Sequence, residues 1–282
     1  MLTLDAFKDR IITPEIRESL FELNPNRKEY TEYIDPKYKE TKYLLCDDVL
    51  MNPYDVRDFL INASYCTGTN DLIPTKTGAP GIQQPICNEW CKEYVQYLNG
   101  LVQKFKITSK TVTWYDFSCY CNLFWKGMKS INSNYYPHVD PSDMAFNLFL
   151  SDDLDEREGT AFFRINVQGE EFNDIRLYEK VAKLHPRVIT QRMDQGRVAT
   201  GEVDDWQYFR GDECYTQLGV IPARFNCISA YRGSIFHTAC YDPDWYPEGH
   251  LRYSLVSMLS ISNPVGKLAA QGFMAKKPSE EE

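Results

Sequence analysis

The chain has no apolar run long enough to span a bilayer. Its longest candidates, Ala145–Leu150 and Tyr253–Ile261, are strand-sized or interrupted by serine. Met1–Phe21 carries Asp, Lys, Arg and Glu throughout, and so reads as neither a secretion signal nor a membrane span. The expectation is a cytoplasmic protein with no membrane partner. Positive charge is also in deficit: 31 Lys and Arg stand against 40 Asp and Glu, a net charge of −9. Neutralising a phosphate backbone needs a basic excess on one face, so nucleic acid is an unfavoured partner. Internal repeats are missing, and biased composition is confined to the charged stretch Lys276–Glu282. Histidine is scarce, with only His138, His185, His237 and His250. Any imidazole-based site must therefore draw on these four.

What is present suits one large globular domain, or a core with additions. The apolar fraction of 43% can fill a sizeable core, and the charged fraction of 25% is too ordinary for disorder. Nine cysteines invite a zinc reading, with Cys87 and Cys91 in one pair and Cys119 and Cys121 in another. That spacing without a nearby His is uncommon for zinc, and reduced, buried thiols are the expectation.

Two patterns divide the chain. Residues 1–107 read as a helical and loop region packed on the core. It includes an extended piece at Tyr43–Cys46, a helix from Pro53 with Val56, Phe59 and Leu60 on one face, an irregular Gly- and Pro-rich loop over 66–86, and a helix over Asn88–Phe105. Beyond it, short aromatic and β-branched segments predict strands. They are Thr111–Tyr115, Ser118–Phe124, Ala145–Leu150, Thr160–Ile165, Phe225–Tyr231, Ser234–Thr238 and Arg252–Ile261. An excursion over 166–219, with one helix at Ile175–Leu184, interrupts them, and 264–282 forms a tail. The expected class is mainly β with flanking helices (α+β), with a double-stranded β-helix, or jelly roll, as the core over 108–263.

The chemistry gathers in three places. In His138-Val139-Asp140, strand periodicity puts the imidazole and the carboxylate on one face. His237 follows in an apolar strand after the Gly233 turn, where it should face either the core or the same cavity. Two His and one carboxylate on one face of an octahedron leave three positions open, as iron(II) oxygenases require. Arg252 and Ser254 share a face of the next apolar segment. A guanidinium fork with a hydroxyl matches a carboxylate ligand, and an Arg buried there needs an anionic partner, which a cosubstrate would supply. His250 shares the alternation of Arg252 and could compete as a ligand, although Pro247-Glu248-Gly249 before it reads as a turn.

As an ordered set these residues resemble the iron(II)/2-oxoglutarate oxygenase superfamily, most closely its prolyl-hydroxylase-like branch. The similar stretches cover about residues 131–165 and 220–262. They include Tyr135 three residues before His138, the Asn147–Asp153 strand and acidic turn, and Glu158-Gly159-Thr160 before an aromatic pair. The resemblance implies that His138, Asp140 and His237 hold Fe(II), and that Arg252 and Ser254, with Tyr135, hold 2-oxoglutarate. It also implies hydroxylation of a C–H bond, with O2 consumed and 2-oxoglutarate decarboxylated to succinate. The carboxylate of Asp140 disfavours halogenation, which needs that iron position for halide. The branch commonly uses Lys, closer to the distal His, where this chain has Arg252. A longer loop over Tyr241–Gly249 accounts for the spacing. The substrate class stays open between a small molecule, an amino acid and a protein side chain. Two other readings stand beside the enzyme: a non-catalytic jelly-roll module that binds a metal or ligand, and a zinc-dependent hydrolase, for which no general base is evident.

Overall fold

The structure, a computed structural model, describes residues 20–35, 40–65, 82–86, 91–105, 112, 116–125, 137–138, 140, 142–167, 170–172, 210–211, 215–248 and 250–261. Several expectations lie outside those residues: most of the 166–219 excursion with its helix, the Lys276–Glu282 stretch, Tyr135, Cys87, His185 and, apart from Val112, the strand over Thr111–Tyr115.

The described chain is mostly antiparallel β-structure with two α-helices. In chain order it runs β1 (Lys28–Asp35), β2 (Glu40–Asp47), α1 (Pro53–Tyr65), β3 (Ile82–Ile86), α2 (Lys92–Phe105) and β4 (Phe117–Trp125). Then come β5 (Met144–Phe149), β6 (Gly159–Val167), β7 (Glu170–Phe172), β8 (Tyr215–Pro222), β9 (Cys227–Tyr231), β10 (His237–Cys240) and β11 (Leu251–Leu259). The large sheet has the order β1-β2-β9-β5-β11-β4-β3; in the small sheet β6 pairs with β10, β7 and β8. An isolated antiparallel bridge joins His138 to His237 at the start of β10. Neither helix is long and apolar enough to cross a membrane.

Each helix forms where its apolar residues recur at helical spacing. Pro53 opens α1, where a missing N–H costs nothing, and Val56, Phe59 and Leu60 are buried. On α2, Tyr94, Val95, Leu98, Leu101 and Val102 are buried, with Lys104 near its carboxyl end. Both helices pack with Leu44, Leu123, Leu148, Tyr253 and Leu255 of the large sheet in one apolar cluster. A second cluster, with Tyr43, Leu45, Ala145, Phe162, Ile221 and Tyr231, joins the large sheet to the small one. Alternate residues of the central strands thus serve different layers, so a one-residue register slip would invert both. Full burial of a leucine such as Leu98 stabilises the fold by about 2 kcal/mol.

Three expectations are corrected. The helical and loop reading of 1–107 foresaw the extended piece at Tyr43–Cys46, which lies in β2, but not its partner β1. The two form a hairpin that extends the large sheet through β9. The loop expected over 66–86 ends in a strand, β3, despite Pro85. Proline is tolerated there because, among the described strands, β3 is an edge strand paired with β4 alone. The polar excursion contains β7 and β8, the latter bearing Gly219 because a Cβ there would stand 2.9 Å from the Ile34 carbonyl oxygen.

Candidate metal centre and ligand cavity

Two local constraints bring the site together. Asn226, in the left-handed region at φ 55°, ties the turn before β9 to Leu50 in the connection from β2 to α1. Its side chain accepts from the Leu50 N–H and donates to the Leu50 carbonyl, each at 2.9 Å. Gly233 lets Asp140 and Ser142 lie close to the chain leading into β10. A Cβ at that position would meet Ser142 Oγ at 2.5 Å, the Ser142 carbonyl oxygen at 2.6 Å and Asp140 Cβ at 3.2 Å. The Asp140 N–H donates to the Gly233 carbonyl at 2.9 Å. His138 and His237 exchange both backbone hydrogen bonds at 2.9 Å, which sets their rings side by side with centroids 4.7 Å apart.

Together these contacts place His138, Asp140 and His237 so that one donor atom from each lies within 4.8 Å of the others. His237 Nε2 stands 3.2 Å from Asp140 Oδ2, and His138 Nε2 stands 3.6 Å from Oδ1. The His237 Nδ1–H donates to the Ile235 carbonyl at 2.8 Å, which fixes the tautomer and leaves the Nε2 lone pair for a cation. Burial pushes the Asp140 carboxyl up, but the His237 ring, aided by His138, outweighs it and holds the group below its ordinary value. Burial likewise depresses His237, and Asp140 more than offsets it, so that imidazole is raised. Phe162 and Tyr231 wall the His237 ring, at 6.1 and 5.0 Å between centroids. Among the described residues this is the one group of three or more His, Cys, Asp or Glu side chains able to hold a metal.

Among the described residues cysteine does not form a competing metal group, and Cys87 lies outside them. Cys91, Cys119 and Cys121 are buried and in no disulfide, as are Cys46, Cys227 and Cys240.

The triad opens into a cavity between the sheets. Arg252, Ser254, Val256 and Met258 line it from one face of β11, as period-2 geometry requires. The opposite residues Leu251, Tyr253, Leu255 and Leu259 face the helices. Arg252 and Ser254 therefore share the cavity with the triad.

Two further lining residues were given no role in the site by the sequence reading. Asn122 sits across from Ser254 in register, and its buried Oδ1 has no hydrogen-bond partner among the described residues. Asn147 donates to Tyr231 Oη at 3.0 Å. The available signal was a lone amide within each apolar strand, on β4 and β5.

The anionic partner foreseen for Arg252 is present within the chain. Arg252 Nε pairs with Glu158 Oε1, and both side chains are buried. The guanidinium carbon lies 4.7 Å from the Phe124 ring centroid and 5.4 Å from that of Phe149. Burial lifts Glu158 to about 7, although Arg252 pulls the other way. His250 is turned away from the triad. Its Nδ1 bonds Asp153 at 3.0 Å, and its ring stacks on Tyr246 at 3.7 Å.

Residues 31–246 match the model of a family of unknown function, DUF6445. No curated protein matches the chain. Among solved structures, a Pseudomonas putida prolyl-4-hydroxylase is similar at 14% identity and a TM-score of 0.36, covering 87% of this chain and 97% of that one. HygX from Streptomyces hygroscopicus, with nickel and 2-oxoglutarate bound, is similar at 11% identity and 0.41, covering 80% and 85%. The α-ketoglutarate-dependent carbocyclase SnoK of nogalamycin biosynthesis is similar at 9% and 0.38, covering 95% and 92%. TM-scores below 0.5 leave both fold and chemistry to be read from this chain's own strands and side chains.

Proposed function

This chain belongs to DUF6445, a family described as of unknown function, and we propose from its own geometry that it is an Fe(II)/2-oxoglutarate-dependent oxygenase. The observation that carries the reading is a two-His, one-carboxylate donor set opening into the cavity that Arg252 and Ser254 also line. Strand order supports a double-stranded β-helix as its frame. Strands β9, β5, β11 and β4 lie in one sheet, and β8, β6 and β10 in the other, with His138 bridged to His237 of β10.

The donor set fits the metal. Two imidazoles and one carboxylate suit a first-row divalent ion and leave coordination positions free. Iron(II) and 2-oxoglutarate, when bound, would supply oxygen activation coupled to decarboxylation, for oxidation of a substrate C–H bond. The chain's own contribution is placement. His138, Asp140 and His237 hold the ion, and the Ile235 carbonyl fixes the His237 ring. Arg252 and Ser254 offer a cation and a hydroxyl to the distal carboxylate. Phe162, Tyr231 and Val256 exclude water around the reacting atoms. A small molecule, an amino acid or a protein side chain is the substrate class proposed.

Succinate formation tests the enzyme against a binding module. Purified chain with iron(II), 2-oxoglutarate and air should release succinate slowly without substrate, and His237→Ala should not. Tight binding of metal and 2-oxoglutarate with no succinate would make it a non-catalytic module.

A further inference from the structure

Glu158 is fully buried at the turn that enters β6. The turn is demanding: at Gly159, φ is 158° and a Cβ would come within 2.0 Å of the Ile221 carbonyl oxygen. The Glu158 carbonyl also accepts from the Ala223 N–H at 2.8 Å. The backbone thus fixes where this side chain leaves the chain, and its burial beside Arg252 places the carboxylate. Its Oε1 stands in ion-pair contact with Arg252 Nε, but neither carboxylate oxygen has a hydrogen-bond partner among the described residues. A carboxylate shielded from water with one partner is poorly satisfied as an anion.

Arg252 presents a different edge to the ligand. Its Nε edge is taken by Glu158, its faces lie against Phe124 and Phe149, and its side chain lines the cavity. A ligand carboxylate at the terminal nitrogens would make Glu158 the second carboxylate on one guanidinium. Two anions sharing one buried cation disfavour each other, and the group already short of partners is the one that takes a proton.

We propose that Glu158 is a positioning residue that holds Arg252 by its Nε edge and takes up one proton from solvent when a carboxylate ligand binds there. The proposal rests on the oxygenase reading in one respect, that an anionic cosubstrate comes to Arg252.

The groups acting on Glu158 agree. Arg252 on β11 favours its charged form, while Asp153 and Asp155 of the β5–β6 connection oppose it. Tyr241, after β10, is itself raised by burial and then by Glu158, and stays neutral. His250, before β11, is held below its ordinary value by burial and stays neutral above its own range. In the free protein Glu158 titrates near about 7. A second anion moves it higher, so proton uptake is absent at low pH and appears above that value.

The test uses the full chain loaded with manganese(II), which holds the site without turnover, and 2-oxoglutarate as the probe. Calorimetry in two buffers of different ionisation enthalpy should show almost no proton uptake at about pH 6 and nearly one proton at about pH 8.5. The Kd should weaken by up to about tenfold per pH unit across that upper range. Glu158→Gln should still bind 2-oxoglutarate, with both effects gone. An infrared carboxyl band that appears on binding in wild type, and is missing from this variant, would assign the proton to Glu158. Binding without proton uptake in wild type, or with unchanged uptake in Glu158→Gln, overturns the proposal and leaves the oxygenase reading standing. If Glu158→Gln does not fold, wild-type uptake and its infrared band decide the matter. No binding of 2-oxoglutarate at either pH removes the oxygenase reading, and this proposal with it.

Discussion

The two ends of the cavity solve the problem of buried charge in opposite ways. At one end His138, Asp140 and His237 converge their donor atoms and share one carboxylate. At the other, Arg252 carries its own counter-ion, Glu158, against aromatic faces. The first arrangement is three donors set around a common point, and an added cation completes it. The second is already compensated, and an added anion must displace or neutralise something. Affinity for a metal should therefore depend on geometry at the triad, and affinity for an organic anion on charge balance around Arg252.

The largest separation of the two ends comes from deleting a metal donor. His237→Ala should weaken binding of manganese(II) by on the order of 100-fold or more, since even the groups that merely orient such ligands contribute 10–100-fold. Arg252→Met should leave that affinity within a few-fold, both measured by calorimetry. Comparable losses in the two variants would erase the distinction between the ends.

Stability should respond in the reverse sense. Arg252→Met leaves the Glu158 carboxylate buried without a cation, at a cost of about 3 kcal/mol near pH 8 in urea unfolding. Adding Glu158→Gln should recover much of that loss. The pH dependence carries a sign that can be checked. Glu158 is raised in the folded state to about 7 from an ordinary value of 4.5, so it favours unfolding once both states would otherwise release the proton. Its contribution is complete below about pH 4.5 and falls by about 3 kcal/mol as pH rises to about 7. Glu158→Gln should flatten that part of the profile. Asp140 is lowered and should act oppositely, losing stability only as pH falls through the acid range.

Smaller effects sharpen the comparison. Gly233→Ala must move Ser142 or the segment carrying Asp140, and should cost about 1–3 kcal/mol of stability, together with about tenfold in metal affinity. Ser254→Ala should weaken 2-oxoglutarate by about 1 kcal/mol, a few-fold in Kd, and leave the metal untouched.

The same contrast explains how much of the molecule was legible beforehand. Local periodicity carried far: Val56, Phe59 and Leu60 mark α1, and Arg252 and Ser254 face the cavity because strand side chains alternate. The grouping of His138 and Asp140 with His237 rested on residue type and on the ordered resemblance, since alternation alone left His237 facing either the core or the cavity. The pairing of Glu158 with Arg252 was legible in neither. Glu158 ends an acidic run from Asp152, and nothing in its spacing distinguishes a buried carboxylate from its solvated neighbours. Only the Gly159 turn, fixed by the close approach of β8, sends it inward. The hairpin β1–β2 was hidden for a related reason. Its first strand, Lys-Glu-Tyr-Thr-Glu-Tyr-Ile-Asp, is polar because it lies at a sheet edge, and register with β2 is a tertiary fact.

The most direct test of the account is spectroscopic. Iron(II) and 2-oxoglutarate are added to the protein without oxygen, and the visible metal-to-ligand charge-transfer band is followed in wild type, His237→Ala and Arg252→Ala. The account predicts a band in wild type, its loss in His237→Ala, and a weakened band that recovers at high 2-oxoglutarate in Arg252→Ala. A folded wild-type protein that gives no band, or a band indifferent to His237, would contradict it.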